Sequence, residues 1–427
     1  MVHHKLTPMG LFKRSKNTNK PIIRQMVDLI PAFILQRTIN RYNSDKYCSK
    51  YFTYDQLVAL TFGQLNKCQT LSDISVGLGV SETYIQDLGL KQSPARSTMS
   101  DGNRQRPWQV FEYLYHALLK HYGGVLRQQH RSHLIKDLEG MSIKLIDSST
   151  VSVCLSMFDW AKFRTAKGGI KIHTCWDTAL QLPDVINISE AKVHDSQGFE
   201  NQIFAANTII VEDKGYFDFE VMKKRTDAKN IFVTRIKDNT VYESVTELEL
   251  PDDKDHHILK DEIITLTGKA ARDIGFHIYK LRRVVVYDEK GNQTIEIITN
   301  QLEWEAATIA ALYKMRWDIE LFFKALKQNL QVKTFLGTSE NAVKSQIFVA
   351  LICYLLLQLV SRTICKVKPA FSNFVEKIRI CLNHYCTLDY VCNQVKQGAH
   401  RVKPKNKDPS FQTNLFKPTA KPNLFSG

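Results

Sequence analysis

Apolar residues recur every three to four positions over residues 21–40, 54–65 and 108–119, the repeat of an amphipathic helix, so the chain up to about residue 137 is predicted to be helical. Between these runs, residues 70–78 and 81–88 form two shorter amphipathic segments that meet at Gly79-Val80, with Ser81 placed to cap the second. The pairing has the look of a helix-turn-helix, and short paired helices also serve purely structural ends. From Ser142 the period shortens. Residues 143–146, 170–176, 185–191, 208–211 and 231–236 are rich in β-branched side chains and predict strands, with helix at 197–207 and 219–225 between them. That is an α/β core. Residues 237–300 differ again, because Pro251-Asp252-Asp253 and Gly291-Asn292 separate short strands at 263–266, 277–287 and 294–299, a β-rich insertion. Helical spacing returns at 303–329, 339–362 and 373–395.

Size and charge narrow the class. A chain of 427 residues exceeds the usual limit of one core, so two or three domains are expected. There are 58 Lys and Arg against 43 Asp and Glu, a net +15, and this excess favours a polyanionic partner, most commonly nucleic acid. The tail from His400 adds lysines between prolines and suits non-specific binding to such a partner. The polar, basic start carries no cleavable signal pattern. The longest apolar run, residues 347–360, is broken by Gln358 and too short for a bilayer, which predicts a buried helix and no membrane. The nine cysteines include no CxxC, and Cys381, Cys386 and Cys392 match no zinc spacing, so reduced thiols are expected.

Two of the strands end in carboxylates. Asp147 closes Lys144-Leu145-Ile146 and precedes Ser148-Ser149-Thr150, and Asp213 closes Ile209-Ile210-Val211-Glu212 and precedes Lys214-Gly215-Tyr216. Open α/β sheets place ligands at such strand ends, although a turn aspartate accepting backbone N–H bonds has the same local sequence. A third carboxylate lies on the predicted helix 303–329. At about 100° per residue, Tyr313, Arg316, Glu320 and Lys327 fall within an arc of about 60°, with Lys324 beside it. Leu312, Met315, Ile319, Phe322 and Phe323 take the neighbouring side, so one face is buried and the other offers a carboxylate among cations. The pairs Arg316–Glu320 and Glu320–Lys324 would equally make a solvated, salt-bridged face.

Phosphoryl transfer unites the three. Two Mg²⁺ ions about 4 Å apart take oxygen ligands of this kind, while flanking Arg and Lys neutralise phosphates and a tyrosine hydrogen-bonds one. Trp317 either stacks a base or packs the helix on the sheet, with packing slightly preferred. His173 and His194 have no third ligand at metal spacing. His194-Asp195 either supports the site from behind or is structural, and Gly168-Gly169 lacks the rest of a phosphate-binding loop.

Together these residues resemble a known family. Tyr313-x-x-Arg316-x-x-x-Glu320, followed by Lys327, matches the Y-R-E-K signature of the insertion-sequence-four transposases. Leu145-Ile146-Asp147-Ser148 and Glu212-Asp213-Lys214-Gly215-Tyr216 are similar to the segments around that family's first and second aspartates. Gly337-Thr338-Ser339-Glu340-Asn341-Ala342-Val343-Lys344 and Arg96-Ser97-Thr98-Met99 resemble one of its subgroups, and the likeness runs over about residues 4–362. It implies an RNase H-like α/β core interrupted by a β-rich insertion, with an all-α N-terminal domain and a helical C-terminal region. With the periodicity, the expected divisions are a helical N-terminal DNA-binding domain at 1–137, the two halves of the core at 138–236 and 301–365, the insertion at 237–300, and a C-terminal helix and basic tail at 366–427.

The same resemblance implies cut-and-paste DNA transposition. Asp147, Asp213 and Glu320 would be both catalytic and metal-binding, with two Mg²⁺ ions for which Mn²⁺ can substitute. Tyr313, Arg316, Trp317, Lys324 and Lys327 would contact DNA. The implied partners are double-stranded DNA, at terminal inverted repeats and at the target, and a second copy of the chain bound on it. The implied location is the cytoplasm of a bacterium, on the nucleoid when DNA-bound. Relatives hold a flipped base on a tryptophan of the insertion, whereas residues 237–300 contain no Trp. Two alternatives are an RNase H-like nuclease that cuts without joining and a non-mobile DNA-binding relative. In the insertion, Tyr279-Lys280-Leu281-Arg282-Arg283-Val284 alternates apolar residues with cations, so Lys280, Arg282 and Arg283 are expected to face phosphates.

Overall fold

The computed structural model describes residues 18–127, 138, 140–153, 160, 162–164, 167–199, 202–250, 257–289 and 291–393. The basic tail from His400 lies outside the described residues. Ahead of the sheet come α1 (Ile22–Val27), α2 (Ala32–Tyr42), α3 (Thr53–Asn66), α4 (Leu71–Leu78), α5 (Glu82–Asp87), α6 (Arg96–Gln105) and α7 (Gln109–Leu126). One helix was predicted over 21–40 and two form, because Pro31 lacks a backbone N–H and disfavours helical conformation at Ile30. The paired segments appear as α4 and α5. Thr70 and Asp73 cap α4 reciprocally, and Ser81 Oγ accepts the Tyr84 N–H at 3.1 Å to start α5. The solvent side of α5 carries Glu82, Thr83 and Gln86 and no cation. Its Tyr84 is buried, and the hydroxyl donates to Asn383 Oδ1 at 2.7 Å.

The strands are β1 (Ile143–Val153), β2 (Lys162–Arg164), β3 (Lys167–Asp177), β4 (Leu182–Glu190), β5 (Ile209–Glu212), β6 (Ile231–Arg235), β7 (Tyr242–Glu247), β8 (Ile258–Leu266), β9 (Lys280–Asp288) and β10 (Gln293–Thr299). They form one sheet in the order β4-β3-β1-β5-β6-β10-β9-β8-β7, with β2 folded back onto β3. β4, β3 and β1 are antiparallel, β5 and β6 run parallel to β1, and every later pairing is antiparallel. All four residues of β5 are buried, as a central parallel strand covered on both faces requires. α8 (Phe219–Asp227) links β5 to β6, and α9 (Lys269–Asp273) lies between β8 and β9. Residues 242–299 extend the core sheet through the β10–β6 pairing. Among the described residues no α-helix forms over the predicted 197–207. A 3-10 turn, Asp195–Phe199, stands at its start and 202–207 is irregular. Gly198 is a poor helix former there, and the Asn187 side chain takes its carbonyl at 2.8 Å.

After the sheet come α10 (Ala306–Lys314), α11 (Trp317–Asn329), α12 (Glu340–Thr363), α13 (Phe371–Ile380) and α14 (Leu388–Asn393). The predicted helix 303–329 is thus broken at Met315-Arg316. Bonds of the tighter i,i+3 type replace the α pattern there, from Arg316 N–H to Tyr313 O at 3.1 Å and from Ile319 N–H to Arg316 O at 3.2 Å. The predicted helix 373–395 also splits, since the carbonyls of Leu382 and His384 accept the N–H groups of Ile23 and Ile22 instead of continuing a helix. α12 is long and apolar enough to cross a membrane, yet 89% of its apolar window is buried inside the protein. It packs on α3, α6 and α7 from the N-terminal helices, while Tyr354 touches Phe322 of α11 at 5.1 Å. The cysteines among the described residues are free thiols.

Candidate active site

β1 continues past its apolar run, so Asp147 lies inside a strand and not at its end. Ser148 to Val153 stay in register with β3, from Ser148↔His173 to Val153↔Gly168. The parallel ladder to β5 does stop, at Ile146↔Glu212. Asp147 and Asp213 are therefore the next residues of two adjacent parallel strands, side by side just beyond their last rung. Behind Asp213, Glu212 is fully buried and pairs with Arg225 of α8 at 2.5 Å, which fixes the end of β5.

The strand period of two puts Leu145 and Asp147 on one face. Leu145 stands opposite Trp176, and Trp176 packs on Phe322 at 4.8 Å, so α11 covers that face. Glu320, two residues before Phe322, is thereby brought toward the aspartates. The link is Arg316, whose Nη1 lies 2.7 Å from Glu320 Oε1 and 3.8 Å from Asp147 Oδ2. The Tyr313 hydroxyl donates to Asp213 Oδ1 at 3.4 Å. Lys327 Nζ donates to Thr150 O at 3.0 Å, which ties α11 to β1. Lys324 is exposed. Trp317 is 57% exposed, with the Arg316 guanidinium 5.6 Å from its ring, so it does not pack the helix on the sheet as preferred from sequence.

Burial pushes the Asp147 carboxyl up to about 6, and the nearby charges of Asp213 and Glu320 push the same way against the Ser148 N–H and Arg316. Asp213 and Glu320 thus both act on Asp147. Burial also pushes the Tyr313 phenol up to about 12, which keeps it a donor. Burial works against the charge on Arg316, but Tyr313, Asp213 and Glu320 outweigh it and raise its affinity for the proton.

Among the described residues no three His, Cys, Asp or Glu side chains stand arranged to hold a metal ion. Arg316 occupies the gap between Asp147 and Glu320. The donor set itself fits a hard divalent cation, being made of carboxylate oxygens whose excess negative charge one guanidinium does not cancel.

Three supporting residues stand behind the carboxylates, and of these Asp195 was already a candidate support from sequence. Ser148 N–H donates to Asp147 Oδ1 at 2.7 Å, and its hydroxyl donates to Asp195 Oδ1 at 2.6 Å. Lys171 of β3 reaches the same Asp195 oxygen at 3.1 Å. For Lys171 the one available hint was its place as a lone lysine in the apolar run Ile170-Lys171-Ile172.

The expectation for the insertion cations is corrected. Arg282 and Arg283 are 5% and 8% exposed and face acids inside the sheet. Arg282 forks onto Asp261, and Arg283 pairs with Glu262 and Glu296. Of the three, Lys280 alone is exposed.

Comparison with known proteins gives the family. The family model described as the transposase DDE domain matches residues 138–356, and a domain of unknown function matches residues 18–91. The y4zB protein of Sinorhizobium fredii, named as a transposase, is 30% identical over 292 residues, 68% of this chain and 78% of that one. The Geobacillus stearothermophilus protein named as the transposase of insertion sequence element IS5377 is 29% identical, over 69% of this chain and 74% of its own. The one named for element IS4SA in Synechocystis is 26% identical, over 68% and 78%. A cryo-EM structure of the piggyBac transposase synaptic complex with hairpin DNA aligns over 86% of this chain at 10% identity and a TM-score of 0.43, too slight a likeness to establish a shared fold. The DDE match spans half of the chain and takes in all three carboxylates, and together with these relatives it shows that the chain belongs to the DDE transposases of the insertion-sequence-four family.

Proposed function

We propose that this DNA transposase cleaves and joins strands at a metal site held by Asp147, Asp213 and Glu320. The observation that carries the reading is the meeting of these three around Arg316, with the two aspartates side by side past the last β1–β5 rung. The DDE domain implies dependence on divalent metal, and we read it as two Mg²⁺ ions, with Mn²⁺ a substitute. Bound there, the ions would supply Lewis-acid activation of the attacking oxygen and charge neutralisation at the leaving one. Arg316, once its carboxylates hold metal, is free to turn to a DNA phosphate. The Tyr313 hydroxyl keeps Asp213 oriented, Lys327 holds α11 on β1, Lys324 meets the backbone and Trp317 stacks a base. Water opens the element's end and the freed 3′-hydroxyl joins the target. The substrate is double-stranded DNA at terminal inverted repeats, bound by two copies of the chain in the bacterial cytoplasm. The order β4-β3-β1-β5-β6 supports an RNase H-like core formed by residues 138–236 and 301–365, with 237–300 as its insertion.

The test is strand cleavage by Asp147→Asn, Asp213→Asn and Glu320→Gln. Each amide keeps the shape and removes a charge, so each should lower cleavage by about 10³-fold or more while end binding, which rests on cations, persists. Cleavage by Glu320→Gln at the wild-type rate in Mg²⁺ removes Glu320 from the mechanism.

A further inference from the structure

We propose that Asp195 is a positioning residue that holds the Asp147 and Asp213 segments at their working separation, acting through Ser148 and Gly215. The proposal rests on the reading of those two aspartates as metal ligands. Ser148 is bonded in two directions, its backbone N–H to Asp147 Oδ1 and its hydroxyl to Asp195 Oδ1. With one oxygen so fixed, Asp147 is left to present Oδ2 toward Arg316. The other oxygen of Asp195 faces the second segment. A Cβ at Gly215, two residues beyond Asp213, would stand 3.3 Å from Asp195 Oδ2, and the 3-10 turn Asp195–Phe199 touches the turn Lys214–Tyr216. One carboxylate therefore sets both strand tips.

The brace is itself anchored. Lys171 Nζ lies 3.1 Å from Asp195 Oδ1 and donates to Val193 O at 2.7 Å, which fixes the turn to β3. It also offsets the charge of Asp195, so that the brace adds little to the repulsion among the three site carboxylates. Partners of this kind behind metal ligands are worth about 10–100-fold in metal affinity or activity.

The test uses the full chain and Mn²⁺ alone, with binding followed by electron paramagnetic resonance in the absence of DNA. Ser148→Ala and Asp195→Ala should each weaken Mn²⁺ binding by about 10–100-fold. Combined, they should do no worse than the weaker binder, since both break one chain of contacts. Ser148→Thr keeps the hydroxyl and should bind as the wild type does. Metal-free melting temperatures separate this from plain destabilisation, and they should stay within about 3 °C of wild type. Unchanged Mn²⁺ affinity in both alanine variants, or additive losses in the pair, overturns the brace. Asp147→Asn tells the two ideas apart. If it binds Mn²⁺ like the wild type, the metal-ligand reading fails. If it alone loses Mn²⁺, only the brace fails.

Discussion

Arg282 forks onto both oxygens of Asp261 at 2.8 and 2.6 Å deep in the sheet, whereas Arg316 grips Glu320 beside the site and keeps its Nε without a partner. The first arginine is committed to the fold and the second is available for work. Removing the charge at 282 leaves Asp261 buried and unpaired, so Arg282→Ala should cost about 3–5 kcal/mol of stability. Lys280→Ala, at an exposed position, should stay within about 0.5 kcal/mol. Urea unfolding of the two variants checks this, and matching midpoints would refute the assignment. Alternation along β9 could not reveal the difference, because Asp261 and Glu262, which claim the cations, lie on β8. Asp147, Asp213 and Glu320 could be picked out as candidates for the opposite reason. Each carries its context locally, as a strand run before a carboxylate or as a spacing along a helix. Asp195 and Lys171 become neighbours only through folding, so nothing in their own segments marks them as a pair.

The break at Met315-Arg316 matters among the elements. A helix continuing through it was the expectation, since both residues keep near-helical backbone and the spacing alone cannot register i,i+3 bonding. Trp317 opens α11 beyond this turn with its ring in solvent. A large exposed aromatic beside Arg316, the arginine proposed to meet a DNA phosphate, suits base stacking, which is worth about 1–3 kcal/mol per base. Trp317→Ala should therefore weaken binding to ends carrying an unpaired base by about 5–150-fold, and binding to fully paired ends far less. Its stability should hold within about 0.5 kcal/mol. Fluorescence-anisotropy titrations of the two DNAs decide it, and equal losses on both would leave the ring without a stacking role. Element identity was otherwise well written in the chain, as with the strands 143–146 and 208–211. The errors fell at breaks, some with a local cause, as at Pro31, and some made by distant partners, as by Ile22 and Ile23 at 382–384.

At the scale of the whole molecule, α12 belongs to the N-terminal helices as much as to the catalytic half. It lies against α3, α6 and α7 on one side and α11 on another. A fragment starting at residue 138 would strip that cover and expose an apolar helix face, so it should be recovered aggregated; a soluble, monomeric fragment with native melting would contradict the shared core. Sequence periodicity found α12 as a buried helix but could not say what buries it. The consequence reaches beyond one protein to how such genes change. A modular enzyme acquires a new target by exchanging its reader wholesale. Here the N-terminal helices and the catalytic half share a single beam, α12, and grafting the first 137 residues of a relative would bring side chains shaped for a different α12. An exchange of the N-terminal helices that keeps the fold has to carry the beam along with its load.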